Sequence, residues 1–197
     1  MARKSLPWKL GLLKKFMADE LIDVCDEDDN VIGQAMKSHV LENGLWHRVA
    51  RVLIFNSQGE IFLQLRSKTK ELHPGKWDVG VAGHVGVGED YIDTAVREAV
   101  EEAGLKISKE GLELVMAEKE AGIYGRINEK IFSRTYFTRF DGDAGEIKIQ
   151  EEELQMFKFI GIEELEIERK DFPDKFSPHS ERYWMEITSE AKKRFNI

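Results

Sequence analysis

Apolar positions recur along this chain with two different periods. LIDVCD (21–26) and VIGQAM (31–36) are short apolar-rich runs around the turn-rich EDDN, and they predict two strands. RVLIFN (51–56) and EIFLQLR (60–66) predict a hairpin through SerGlnGly at 57–59. Residues 67–76 are polar and contain Pro74–Gly75, which predicts a loop, and WDVGVAG (77–83) predicts one short strand running into a glycine-rich turn. Between Asp90 and Ala103 the period becomes helical. Ile92, Ala95, Val96, Ala99, Val100 and Ala103 mark the apolar face, and Gly104 stands where a helix stops. LELVMAEKE (112–120), IFSRTYFTRF (131–140) and LQMFKFI (154–160) predict further strands. A short acidic helix near Glu163 to Glu168 and a C-terminal helix from about Pro178 to Phe195 follow.

Strands therefore dominate, with one central helix and helices at the ends, which predicts a single mixed α+β domain. The start, MARKSLPWKLGLLKKF, predicts a helical extension over 1–19 ahead of a domain at 20–197. Its Trp8, Leu12, Leu13 and Phe16 can dock on the same chain or on a partner, so a homodimer stays open. Lys14 and Lys15 break its apolar stretch, and no small-residue cleavage site follows.

Composition narrows the class of partner. The chain has 197 residues, enough for one cored domain, and 29 basic against 37 acidic residues give a net charge of −8. No surplus of positive charge exists to neutralise the phosphates of a nucleic acid duplex. A small phosphorylated substrate is compatible if cations or a local basic cluster offset its charge. Cys25 is the only cysteine, so no intramolecular disulfide forms, and a reducing cytoplasm is the expected setting. No apolar run approaches the roughly 20 residues that span a bilayer.

The chemistry lies in GHVGVGEDYIDTAVREAVEEAGL, residues 83–105. Glu98, Glu101 and Glu102 stand at i, i+3 and i+4, so three carboxylates project from one helical face. Like charges at that spacing repel by a few tenths of a kcal/mol per pair, and something must offset them. Clusters of carboxylate oxygens are what hard cations such as Mg²⁺ or Mn²⁺ require. Arg97 can reach Glu101 at i+4 or fold back toward Glu89, fixing the rotamers of the acids. A bare E-x-x-E-E is more often a solvated helix face, but its surroundings change that reading. Gly83, Glu89, Arg97, Glu98, Glu101, Glu102 and Gly104 fit G-x5-E-x7-R-E-U-x-E-E-x-G-U, with Ala99 and Leu105 at its apolar positions.

That pattern resembles the box of the Nudix hydrolases. The resemblance implies an α/β/α sandwich with a mixed sheet, in which the box forms a loop and the catalytic helix. It also implies one to three divalent cations, Mg²⁺ or Mn²⁺, that bridge substrate phosphates and lower the pKa of an attacking water. Glu98, Glu101 and Glu102 would be ligands, with the backbone carbonyl of Gly83, while Glu89 and Arg97 would support the loop and helix. The implied reaction is hydrolysis of a nucleoside diphosphate linked to X, or of a related small diphosphate. The general base varies within the family; Glu129 and Glu151 to Glu153 are candidates.

Outside the box, Asp23, HVLENGLWHR (39–48), FNSQGEIFLQLRSKTKELHPGKW (55–77) and AGH (82–84) resemble isopentenyl diphosphate isomerase and its hydrolase-like relatives. In the isomerase, three histidines and two glutamates hold a metal. His39, His47 and His84 stand at the histidine positions and Glu129 at one glutamate position, while Ile127 occupies the other. The diphosphate-gripping arginine and lysine are matched by Arg66 and Lys70, two cations four residues apart. The isomerase's cysteine is replaced by Ala82, and a methyl group cannot shuttle a proton to an allylic carbon. Hydrolysis is therefore the expected activity, with isomerisation and a non-catalytic nucleotide-binding module as the other readings. Trp46 and Trp77 are expected to pack in the core or a hairpin, and His73 and His179 have no motif around them.

Overall fold

The computed structural model describes residues 19–196. The expected N-terminal helix thus lies outside the described residues. Among the described residues, nine strands form one mixed sheet. β1 (Leu21–Cys25) and β2 (Val31–Met36) pair antiparallel, and the Asp26 carboxylate closes their turn by accepting from the Asp28 and Asn30 amides at 2.9 and 3.0 Å. A short helix, α1 (Lys37–Asn43), then ends at Gly44 in the left-handed region, φ +61°. Sequence periodicity does not reveal it, because α1 buries only the adjacent Val40 and Leu41.

β3 (Trp46–Phe55) is the central strand. It runs parallel to β8 (Ile127–Arg139) over ten residue pairs. It also meets β4 (Ile61–Arg66) through the expected hairpin. The segment WDVGVAG is two strands rather than the one expected, β5 (Trp77–Val79) and β6 (Val81–His84). Gly80 divides them with φ +68°, and a Cβ there would strike the Val52 carbonyl. The chain changes partner at that point: β5 pairs with β4, and β6 with β3. β6 is thereby set at the middle of the sheet with the first box glycine on it. β7 (Glu113–Tyr124) pairs with β8, and β9 (Leu154–Ile160) with β4.

Helices cover both faces, as the sandwich expectation requires. α2 (Tyr91–Ala103) begins where Asp90 Oδ1 accepts from the Ile92 amide and stops at Gly104, φ +65°. Its Ala95, Ala99 and Ala103 pack on Ala50, Val52, Phe62 and Val81. The small alanines let the helix lie close to the sheet, which brings the glutamates beside them near β6. On the other face, α3 (Ile162–Asp171) and α4 (Glu181–Phe195) contribute Leu165, Trp184, Ile187 and Ala191 against Leu53, Phe55 and Leu63. Full burial of each such large apolar side chain contributes about 1.5–3 kcal/mol, so both layers are needed to hold β3 and β6 in place. No helix among the described residues is long and apolar enough to cross a membrane.

Candidate active site

Two groups of charged residues flank β6, one on each face. On the α2 face, the box residues converge on Arg97. Its guanidinium donates to Glu89, to Glu98 Oε1 at 2.5 Å, to Glu101 Oε2 at 3.0 Å and to the His84 carbonyl at 3.1 Å. Both reaches expected for Arg97, forward to Glu101 and back to Glu89, are made at once. Glu89 also accepts from the Gly86 amide and from the Thr94 hydroxyl at 3.2 and 2.8 Å, tying the loop 85–90 to the helix start. Burial works against its charge, yet the Arg97 and Thr94 hydrogen bonds hold its carboxyl below the usual range.

Glu98 and Glu102 are buried, at 8% and 5% exposure, whereas the Glu101 side chain is half exposed. Gly83 makes room for Glu98: a Cβ on it would run into the Glu98 carboxylate. Glu102 accepts from the Ala82 amide at 3.4 Å. Burial pushes Glu98 up to about 7 against the pull of Arg97, with Glu101 adding to the rise. Burial and then the Glu98 charge push Glu102 up to about 8, and Lys70 only partly opposes them. Two buried acids therefore resist carrying charge together, which is the state a hard cation relieves. The donors are all oxygen, the set Mg²⁺ or Mn²⁺ takes, so the residues present fit such an ion in kind. Among the described residues no three candidate ligands are already gathered around one point. Arg97 is the positive charge that meets Glu98 and Glu101.

The two expected diphosphate cations behave differently. Lys70 pairs with Glu153, and both lie close enough to Glu102 to act on its carboxyl. The Ser67 amide donates to the Glu153 carbonyl and the Thr69 hydroxyl to the Glu152 carbonyl, at 2.8 and 3.1 Å, so loop 67–70 is fastened to that acidic turn. Arg66 instead donates from Nε and Nη2 to the Leu72 carbonyl at 3.2 and 3.0 Å, bracing its own loop. Glu151 and Glu152 are exposed.

Of the histidines, His47 and His84 stack with ring centroids 5.2 Å apart. His47 donates through Nδ1 to the Leu45 carbonyl at 3.0 Å, leaving its Nε2 as a bare buried acceptor. His84 Nε2 is likewise buried without a partner, and burial lowers the pKa of both rings. His39 is exposed on α1, where among the described residues it hydrogen-bonds with the Asn43 side-chain amide. Glu129 is half-buried on β8, and burial raises its carboxyl. The structure thus brings His47 and His84 together and leaves His39 apart from them.

On the α4 face lies a group that the sequence reading missed. Arg51, paired in register with Ala82, donates to both Glu120 oxygens at 2.8 and 3.4 Å and lies 5.1 Å from the Tyr183 ring centre. The Ser133 hydroxyl donates to Glu120 at 2.7 Å. Asp78 is buried and receives His179 Nε2 at 2.8 Å. Burial opposes the Asp78 charge, but His179 and Arg66 outweigh it and hold the carboxyl well below the usual range. Both Arg51 and Asp78 are single charges inside apolar strand runs, which is the signal that would have found them. Trp46 packs on Phe132 with centroids 5.0 Å apart and carries Lys119 over its ring, in line with a packing role.

Comparison with known proteins gives three results. The NUDIX domain model matches residues 45–180. An uncharacterized Nudix hydrolase of Streptomyces coelicolor is 44% identical over 87 residues, 44% of this chain and 48% of that protein, so the match spans about half the relative's length. An isopentenyl-diphosphate Delta-isomerase of Serratia proteamaculans is 33% identical over 159 residues, 81% of this chain and 86% of that one. Among solved structures, one from Deinococcus radiodurans superposes with a TM-score of 0.65 at 22% identity, covering 88% of this chain and 98% of that one.

Proposed function

This chain belongs to the Nudix family, hydrolases of diphosphate-containing substrates, and from that premise we propose that it cleaves a diphosphate linkage with Mg²⁺ or Mn²⁺ held at the box glutamates. The observation that carries the proposal is the pair of buried acids Glu98 and Glu102 set against β6, the first in the space that Gly83 leaves and the second at the Ala82 amide. Glu98, Glu101, Glu102 and the Gly83 carbonyl would hold the ion. Bound there, it would neutralise phosphate charge and lower the pKa of an attacking water. Arg97 positions the acids through Glu89 and the His84 carbonyl. Lys70 offers its ammonium to a substrate phosphate on exchanging Glu153, and Arg66 shapes the loop that presents it. Glu153, whose charge acts on Glu102, is the residue we favour to accept a proton from water, whereas the charges that act on Glu129 are those of Arg51, Glu120, His179 and Arg66.

Isomerisation is disfavoured at one atom. Ala82 supplies a methyl group on the face it shares with Arg51, so no proton donor stands at that position. His47 and His84, with two bare Nε2 atoms, support a second ion site beside the first, but His39 does not join them. The decisive experiment is phosphate release from nucleoside and prenyl diphosphates with and without Mg²⁺ or Mn²⁺. Turnover that requires the metal and falls in Glu101→Gln and Glu102→Gln supports the proposal; metal-independent turnover, or none, defeats it.

A further inference from the structure

A pocket of about 250 Å³ lies beside the start of α2, where β7 and β8 run side by side. Asp29, Tyr91, Ala117, Lys119, Phe132 and Arg134 line it. Glu118 and Ser133 border it only along the strands, because alternation turns their side chains to the α4 face, where Ser133 meets Glu120. Among the described residues, none of the box acids lines this pocket.

Two of the lining residues are cations seated on aromatic rings. Arg134 lies over Tyr91, 4.2 Å from the ring centre, and Lys119 over Trp46 and Phe132 at 4.6 and 5.4 Å. Stacking holds each charge in place without neutralising it. Lys119 stands opposite Phe132 in the β7–β8 ladder, and Arg134, two residues further along β8, stands opposite Ala117. Neighbours across that diagonal are roughly 7–8 Å apart, and the small Ala117 side chain leaves the space between the two cations open. The acid of the pocket is already held: Asp29 accepts from Arg48 Nε at 2.6 Å and from the Tyr91 hydroxyl at 3.0 Å, and stays 4.0 Å from Arg134. Glu27 competes for Lys119, but its carboxylate is 3.8 Å away and 82% exposed; its carbonyl accepts from the ammonium at 2.7 Å.

We propose that this pocket binds a small phosphate monoester, whose phosphoryl group bridges Arg134 and Lys119. A phosphoryl group carries close to two charges at neutral pH on three oxygens, so it serves the arginine fork and the ammonium at once. A carboxylate has a single charge and two oxygens in one plane, which suits one of the two cations. The pocket falls just below the roughly 300–1,000 Å³ that takes drug-sized ligands, so the organic remainder of the ester is short. Neither the box acids nor a metal ion takes part, and the assignment stands apart from the diphosphate reading of the box.

The test is calorimetric binding of glycerol 3-phosphate to the full-length protein in chelator, with glycerol and inorganic phosphate as controls. The wild type is expected to bind the ester, not to bind glycerol, and to bind inorganic phosphate more weakly. Lys119→Gln/Arg134→Gln lowers affinity for the ester at least about tenfold, and Ala117→Leu, which fills the opening and keeps both charges, also lowers it. Glu27→Gln removes the competitor for Lys119 and raises affinity about two- to threefold, a gain that a misfolded variant does not give. Lys170→Gln/Lys193→Gln makes the same change in net charge on α3 and α4 and leaves binding as it was. No binding by the wild type, or equal losses in the two double variants, overturns the site. Inorganic phosphate bound as tightly as the ester gives the pocket to the free ion and overturns the monoester assignment.

Discussion

One strand separates two groups of buried charge that are built on opposite principles. On the α4 side of β6, Glu120 is gripped by Arg51 and Ser133, and Asp78 by His179, so these two acids each have a partner, although a buried oxygen of the neighbouring Glu118 has none among the described residues. On the α2 side, Glu98 and Glu102 are as deeply buried as Asp78, but the Glu98 charge adds to the cost of ionising Glu102, and the single arginine there is shared among Glu89, Glu98 and Glu101. Asp78 is held well below the usual carboxylate range while Glu102 is pushed up to about 8. Burial is common to both; compensation is not. Compensated charge stabilises a fold, and the uncompensated acids are the ones we propose to hold the ion.

The comparison breaks if the two sides respond alike to mutation. The largest expected effect is on activity: Glu102→Gln lowers kcat on the order of 10²–10³-fold, the range for losing a preorganised electrostatic contact. Its thermal midpoint in chelator does not fall, because a carboxyl raised from 4.5 to about 8 on folding must take up a proton at neutral pH, a cost to stability that Gln does not carry. Steady-state kinetics beside a thermal melt read both. Arg51→Met is expected to do the reverse. Stripping Glu120 of its partner costs roughly 2 kcal/mol in urea unfolding, below the usual figure for a buried pair because the Glu120 side chain is about a third exposed. Metal-dependent turnover per folded molecule is retained.

A smaller effect should appear as pH dependence. The Asp78 pKa is lowered from 3.8 on folding, so its stabilising contribution is present above that value and lost as pH falls below it. Asp78→Asn is therefore less stable than the wild type at pH 7, and the two unfolding curves converge in acid. Parallel curves from pH 7 to pH 2 would show that Asp78 is not compensated as described. The smallest effect is expected from Ala82→Cys: hydrolysis stays within about twofold, since a lone general acid–base group acts only on a substrate posed for it, and no interconversion of isopentenyl and dimethylallyl diphosphates appears.

What could be read from sequence divides along the same line. The box acids announce themselves because one helix carries them at fixed spacing, and the alanines that seat α2 repeat with the same period. The compensated group has no such spacing: His179 meets Asp78 across 101 residues, and Arg51 meets Glu120 across 69. Only the anomaly of one charge in RVLIF or WDV hints at them. α1 escaped notice because two adjacent buried residues make no stripe, and the strand break at Gly80 because a positive-φ glycine looks, in sequence, like any small strand residue. The resemblance to the isomerase likewise put His39 in the same group as His47 and His84, but it could not tell that the His39 ring meets Asn43 at the surface.

Mn²⁺ binding followed by electron paramagnetic resonance, with phosphate release measured on the same samples, tests the central claim most directly. The account predicts that the wild type binds Mn²⁺ and turns over, and that Glu98→Gln/Glu102→Gln loses both together. Mn²⁺ bound with wild-type affinity by that variant, or turnover that survives without bound metal, would contradict it.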